Sequence, residues 1–181
     1  VCSSDLPGTL KTLESEARIE SGSARPIARV AIGVAVRRGS PKPAIATVEQ
    51  FQAAVLAARN PAFIDPKAGG SSGIYLDGLF QRMGIAEAIR PKAVLVPGGL
   101  VAERLVTGEA DLAIHQISEI LPVAGAELVG PLPDSIQNYT VYAAAIATGS
   151  SQGAAARALI DLLRSPAAQV IIQSKGMERT E

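Results

Sequence analysis

The hydrophobic pattern along the chain alternates between two kinds of segment. Short, almost continuous β-branched runs are typical of strands buried on both faces, and runs with apolar residues every three or four positions are typical of amphipathic helices. The clearest strand is "ARVAIGVAVRRGS" (28–40). Further strands are predicted at 62–65, 93–97, 110–116, 126–133 and 139–147. Strands that alternate with helices in this way predict an α/β fold with a mostly parallel sheet.

Helix boundaries are marked by capping residues, glycines and prolines. Thr47 followed by Gln50 predicts a capping box at the start of "VEQFQAAVLAA", and Pro61 prevents that helix from continuing. "SSGIYLDGLFQRM" predicts a helix that Gly84 closes. The inward side chains of this helix are predicted to be Ile74, Leu76, Leu79, Phe80 and Met83. Further helices are predicted at 10–19, 98–108, 151–165 and 166–175.

Charge and composition exclude several classes of function. The chain has 17 Lys and Arg against 17 Asp and Glu, and this zero net charge argues against a broad nucleic-acid or polybasic membrane surface. No apolar run reaches the roughly 18 residues that span a bilayer. A single Cys and a single His exclude cysteine and multi-histidine metal sites, so we expect no metal and no cofactor. That histidine, His115, is interpreted as a structural residue with a hydrogen bond.

The sequence contains no pattern that indicates catalysis. Ser71 and Ser72 do not lie in the glycine-flanked turn that holds a nucleophilic serine. Glu109 and Asp111 flank the start of a strand, where a solvated turn is the usual interpretation. The glycine-rich motifs that bind nucleotide phosphates are absent. We therefore expect that the protein has no catalytic residues and is not an enzyme.

Three loops that join a strand to a helix are built from small residues: "DPKAGGSSG", "VPGG" and "ATGSSQG". The first N–H groups of a helix have no partner inside it and carry the positive end of the helix dipole. Glycines let the backbone approach a ligand closely, and serine hydroxyls add donors without charge. The loops therefore fit either ordinary turns or a neutral anion site at the carboxyl ends of the strands.

The order of four segments is similar to that of a known family. The segments are "ARVAIGVAVRRGS", "GGSSGIYLDGLFQRMGI", "VLVPGGLVAERLVTGEADLAIHQISEIL" and "YTVYAAAIATGSSQGAAARALIDLLRSPAAQVIIQSKGM". Together they resemble the periplasmic solute-binding proteins of ABC importers, and within them the molybdate- and tungstate-binding branch. The resemblance implies a type 2 periplasmic-binding-protein fold of two α/β lobes. It also implies a small oxyanion, clamped between the lobes by hinge closure and held by backbone N–H groups and hydroxyls.

The resemblance further implies how the chain is divided. Residues 1–31 would be a residual segment of the first lobe, 32–148 the second lobe, and 149–181 the C-terminal helices that return to the first lobe. The first six residues read as a translated sequencing adapter, "VCSSDL". We therefore expect residues 1–6 not to be native and the first lobe to be incomplete in this sequence.

Five candidate ligand-binding residues follow from the resemblance. The family's "PAGxY" loop aligns with "SSGIY", which implies that Ser71, Ser72 and Gly73 contact the ligand. Val101 would offer its backbone N–H from the loop "VPGGLV". Gln116 stands where the family often has a tyrosine. The ligand is therefore molybdate or tungstate, another oxyanion, or a small organic anion.

The resemblance implies a monomeric periplasmic protein. Its partners would be the small oxyanion and the membrane permease of an ABC importer, with no nucleic acid. Two alternatives stay open. The same fold serves as the ligand-sensing effector domain of transcription regulators, and an enzyme on this fold would need acid–base groups that the sequence does not reveal.

Overall fold

The computed structural model describes residues 6–180 and divides into two compact units. The central unit comprises residues 31–139, and the terminal unit comprises residues 1–30 and 140–181. The chain therefore passes between the units twice, at 30/31 and at 139/140. The sequence-based lobe boundaries stay a prediction. Except for Leu6, the six residues expected to be non-native lie outside the described part of the chain.

Helices and strands alternate along the described chain. The strands are β1 Arg25–Arg37, β2 Pro61–Ile64, β3 Val94–Val96, β4 Leu112–Gln116, β5 Ala126–Pro131 and β6 Tyr139–Ala144. The helices are α1 Leu6–Ser15, α2 Val48–Ala57, α3 Ser71–Arg82, α4 Ala86–Ile89, α5 Glu103–Thr107, α6 Ile117–Ile120, α7 Gly153–Arg164 and α8 Pro166–Ser174. Short 3-10 helices lie at Pro66–Ala68, Arg90–Lys92 and Asp134–Ile136.

The central sheet is mixed. Its strand order is β3-β2-β4-β1-β5, and β6 also pairs with β1. Strand β2 is parallel to β3 and β4, whereas β1 is antiparallel to β4 and β5. The α/β class is confirmed, but the expected mostly parallel pairing is wrong at β1. Successive crossovers through α3 to α5 make β2, β3 and β4 parallel, while β1 reaches the sheet from the terminal unit and runs the opposite way.

Two hydrophobic clusters cover the two faces of this sheet. The first contains Leu112 and Ile114 of β4 together with residues of α2, α3 and α4. The second contains Ala113 of β4 together with residues of α5 and α6. Alternate residues of β4 thus enter opposite clusters, as the period-2 geometry of a strand requires. The strand predicted at 28–40 to be buried on both faces shows the same alternation, because Val34 lies in the first cluster and Ala35 in the second, and that prediction is confirmed.

The predicted capping box of α2 is confirmed, whereas one predicted inward side chain of α3 is wrong. The Thr47 hydroxyl accepts a hydrogen bond from the Gln50 backbone N–H, and the Gln50 side chain accepts one from the Thr47 backbone N–H, both at 3.3 Å. Gly84 follows α3 with a φ of 71°. Ile74, however, is 55% exposed, because Ser72 and Gly73 occupy the positions at which α3 contacts the sheet.

The terminal unit contains α1, the first half of β1, most of β6, and the helices α7 and α8. A small cluster around Leu10 and Ile19 forms its interior. The guanidinium of Arg29 lies 2.8 Å from the Glu178 carboxylate, and the backbones of these residues also pair. Of the helices between residues 6 and 180, none is long and apolar enough to cross a membrane.

Candidate functional site

Three parallel strands of the central unit end at one edge of the sheet, where the candidate residues lie. Strand β2 ends at Ile64, β3 at Val96 and β4 at Gln116. Because parallel neighbours have their carboxyl ends at the same edge, the segments that follow them begin close together. Ligands of α/β proteins bind at such an edge.

The loop after β2 is held in shape before α3 begins. The Asp65 carboxylate accepts a hydrogen bond from the Lys67 backbone N–H at 2.9 Å, and Gly69 takes the left-handed conformation with a φ of 83°. Gly70 is the N-cap of α3 and provides no side-chain cap. The first N–H groups of α3 therefore have no capping side chain from Gly70 and are oriented to receive a negatively charged group.

Gly73 allows α3 to start directly against the end of β2. A Cβ atom at Gly73 would overlap the carbonyl group of Ile64, and a Cβ atom at Gly70 would lie 2.7 Å from the Ile64 Cγ2 atom. Both positions thus require glycine for the helix to approach this closely. The glycines of the loop determine where the first turn of α3 lies relative to the ends of β2 and β4.

The structure brings two of the candidate residues into direct contact. The Gln116 side-chain amide donates a hydrogen bond from Nε2 to the Ser71 Oγ atom at 3.3 Å. Gln116 is buried at the end of β4, and Ser72 is buried in the first turn of α3. The candidate site is thus lined by uncharged donors, which can solvate an anion without a buried cation.

Val101 lies at the same sheet edge but in a different environment. Its side chain is fully buried in the second cluster, which also contains Ile64 and Val96. The helix expected from residue 98 begins only at Glu103, after Gly99 has adopted a φ of 84°. Any ligand contact by Val101 is therefore limited to its backbone. The ligand-binding roles of all five candidate residues stay predictions.

A contact between buried His115 and half-buried Glu119, next to Gln116 in the chain, was not singled out by its sequence context. The His115 Nδ1 atom is buried without a hydrogen-bond partner and lies 3.9 Å from the Glu119 Oε2 atom. The expected structural hydrogen bond is therefore absent at Nδ1. Burial lowers the pKa of His115 to about 4 and raises the pKa of Glu119. The spacing of four residues across a strand end was the available signal, but only the fold shows that His115 is buried and that Glu119 is half-buried.

The described residues contain no metal-binding cluster. Between residues 6 and 180, no group of three or more His, Cys, Asp or Glu side chains could hold a metal ion. The candidate site consists of hydroxyl, amide and backbone groups, which suit a small anion better than a transition metal.

A sheet edge that presents helix-opening loops is typical of α/β ligand-binding proteins. Over residues 1–178 it matches the family model described as bacterial extracellular solute-binding protein. The chain belongs to this family.

A curated relative corrects one expectation from the sequence. Aconitate isomerase from Pseudomonas sp is 36% identical over 148 residues, which make up 81% of this chain and 55% of that protein. The chain thus spans about half the length of the curated relative that it matches. The expectation that the protein is not an enzyme is contradicted, because this relative carries the name of an enzyme.

Solved structures support the fold. The substrate binding domain of a protein described as a molybdenum ABC transporter, from Clostridium difficile, has a TM-score of 0.79 at 15% identity, covering 98% of this chain and 75% of that chain. The periplasmic molybdate-binding protein of Azotobacter vinelandii has a TM-score of 0.71 at 20% identity, covering 99% and 78%. These likenesses show the type 2 periplasmic-binding-protein fold, as expected from the resemblance.

Proposed function

We propose that this chain is the anion-binding part of a solute-binding protein and that its ligand is a small carboxylate anion. The observation that carries this proposal is the contact between Gln116 and Ser71 at the start of α3. It joins the end of a buried strand to the first turn of a helix whose N-cap is a glycine. The ligand would accept hydrogen bonds from Ser71, Ser72, Gly73, Gln116 and the Val101 backbone.

The electrostatics of this edge favour an anion. The N-terminus of a twelve-residue helix carries a partial positive charge of about half an elementary charge. Neutral hydroxyl and amide donors add to this without the desolvation cost of a buried Lys or Arg. These donors are uncharged, so none of them competes with the ligand for negative charge or requires a counter-ion.

The choice of a carboxylate over an oxyanion rests on the relatives. The relative at 36% identity is named for aconitate, which is a carboxylate. The neighbours named for molybdenum or molybdate are at most 20% identical to this chain, so their similarity supports the fold and gives no argument about the ligand. Molybdate or tungstate is the second candidate ligand. We propose a periplasmic location, an ABC permease as partner and a monomeric state.

A thermal-shift series on the full-length protein tests this function. The compounds are cis-aconitate, trans-aconitate, citrate, molybdate, tungstate and sulfate. A ligand at about a thousand times its Kd adds roughly 4 kcal/mol to the free energy of unfolding, which is a large shift. We expect shifts with the carboxylates. A shift with molybdate and tungstate alone would transfer the proposal to those oxyanions, and no shift with any compound would contradict an anion site.

A second candidate function is isomerisation of the bound carboxylate. It is favoured by the name of the relative and by the Glu119 carboxyl, which lies 3.9 Å from the His115 Nδ1 atom and has a raised pKa. Aconitate has a carbon–carbon double bond beside a CH2 group. A base can remove one proton from that CH2 group and a proton can return at the other end of the allylic system, so that the double bond moves without a co-reactant. Glu119, with its raised pKa, is the candidate acid–base group.

Proton NMR of cis-aconitate in D2O tests this second function. We expect the full-length protein to form trans-aconitate with deuterium incorporated at carbon. A Glu119→Gln variant should lose this conversion and keep the thermal shift, whereas Glu103→Gln, an exposed glutamate of α5, should keep both. No conversion by the wild type would contradict the isomerase function and leave the binding function intact.

A further inference from the structure

The side chain of Gln137 makes an unusual number of hydrogen bonds at one point of the central unit. Its Oε1 atom accepts from the backbone N–H groups of Ile32 and Asn138, both at 2.9 Å. Its Nε2 atom donates to the carbonyl oxygens of Ile32 at 3.0 Å and Leu132 at 3.3 Å. One neutral amide thus satisfies four backbone groups.

Three of these groups belong to segments that lead out of the central unit. Ile32 lies two residues after the crossing at 30/31, and Asn138 lies just before the crossing at 139/140. Strand β5 ends at Pro131, and Leu132 donates its N–H to the Ile32 carbonyl at 3.0 Å. The Gln137 amide therefore continues the pairing of β1 where the backbone of β5 has ended, and it holds both outgoing segments together.

The same point is connected to the candidate anion site along two routes. On β1, Ile32 is the direct partner of Gln116 on β4, and Gln116 contacts Ser71 of α3. On the other route, the Tyr75 hydroxyl of α3 donates a hydrogen bond to the carbonyl oxygen of Ile136, the residue before Gln137, at 2.8 Å. Helix α3 is thus hydrogen-bonded at its first turn to Gln116, the β4 partner of Ile32, and one turn later to Ile136, the residue before Gln137.

We propose that Gln137 and Tyr75 are positioning residues that transmit the occupancy of the anion site to the two segments where the chain leaves the central unit. This rests on the proposed anion site. Ligand bound at the first turn of α3 restrains that helix, and the Tyr75 bond passes the restraint to Ile136 and Gln137. The Gln137 amide then restrains Ile32 and Asn138 together. Neither residue touches the ligand.

Amide hydrogen exchange in the full-length protein, measured by NMR residue by residue, tests the proposal. Without ligand, Gln137→Met should speed exchange at Ile32 and Asn138 at least tenfold, because both amides lose their acceptor. Exchange at Ile114 in the sheet core should not change. Gln173→Met, at an exposed glutamine of α8, is the matched control and should change neither. Unchanged exchange at Ile32 in Gln137→Met would show that the Gln137 amide does not hold the outgoing segments together.

The ligand-dependent arm separates transmission from a merely structural role. With saturating trans-aconitate, or with molybdate if only that compound binds, wild-type exchange should slow at Ser72 and Gly73 and also at Ile32 and Asn138. In Tyr75→Phe, the ligand should still slow exchange at Ser72 and Gly73, with a Kd within about threefold of the wild-type value. Most of the slowing at Ile32 and Asn138 should be lost. Equal protection in Tyr75→Phe and wild type would overturn the transmission. If neither trans-aconitate nor molybdate slows exchange at any residue, the proposed function is overturned, and with it the transmission. The measurement on Gln137→Met without ligand would still decide whether the Gln137 amide holds the two outgoing segments together.

Discussion

At Gly73 the absence of a side chain determines how closely α3 approaches β2. A Cβ atom there would overlap the backbone carbonyl of Ile64, which cannot move without disturbing the sheet. At Gly78, in the same helix, a Cβ atom would meet only the end of the flexible Arg82 side chain, at 3.3 Å. The same substitution should therefore have opposite effects at these two positions.

We expect Gly73→Ala to lower the free energy of unfolding by about 1–3 kcal/mol, as overpacking against backbone does, and to weaken ligand binding. Gly78→Ala should raise the free energy by about 0.5–1 kcal/mol, because alanine favours the helix over glycine. Urea unfolding of both variants measures the difference. Equal and small effects at the two positions would contradict the close approach of α3 to Ile64.

His115 makes stability depend on pH because burial favours its neutral form. The pKa in the folded protein is about 4, below the ordinary value of 6.5. The unfolded chain therefore binds a proton first as the pH falls, and stability decreases between about pH 6.5 and pH 4, by roughly 3 kcal/mol at most. The raised pKa of Glu119 acts in the opposite direction as the pH falls towards its ordinary value of 4.5.

Unfolding measured at pH 7 and pH 5 checks this prediction with His115→Gln as the comparison. The chain has a single histidine, so the variant removes the whole contribution of this residue type. We expect the wild type to lose more stability than the variant between the two pH values. The same loss in both proteins would mean that His115 is not held neutral by burial.

Among the elements, α2 was the easiest to predict and α3 and β1 the hardest. The capping box of α2 is a local signal, since Thr47 and Gln50 satisfy each other's backbone groups whatever surrounds them. At α3, the prediction that Ile74 points inward rested on its hydrophobicity alone. The close contact at Gly73 sets the rotation of the helix, and this rotation exposes the Ile74 side chain. The reversed direction of β1 depends on which strands become neighbours, which the alternation of elements does not determine.

The capping box predicts a measurable contribution to α2. We expect Thr47→Ala to lower the free energy of unfolding by about 1 kcal/mol, because the Gln50 N–H loses its acceptor. Thr47→Ser keeps a hydroxyl at the N-cap and should remain close to wild type. Chemical denaturation of the two variants gives the comparison, and an equal loss in both would show that the hydroxyl is not the stabilising group.

For the whole molecule, the sequence was sufficient for the fold class and for the family, but not for the chemistry of the site. Small residues in the strand–helix loops, together with the order of the motifs, indicated the sheet edge at which Ser71 and Gln116 meet. The contact of His115 with Glu119 depends on how the chain turns from β4 into α6, and the hydrogen bonds of Gln137 depend on its approach to β1, which is distant along the chain. The composition of the loops does not indicate such contacts, so only the folded structure reveals them.

The most direct test of the anion site is a two-dimensional ¹H–¹⁵N NMR titration of the full-length protein with trans-aconitate. If the first turn of α3 solvates the anion, the largest shifts will be at the backbone amides of Ser71, Ser72 and Gly73 and at the side-chain amide of Gln116. Shifts confined to other parts of the chain, with these signals unmoved at saturation, would contradict the account.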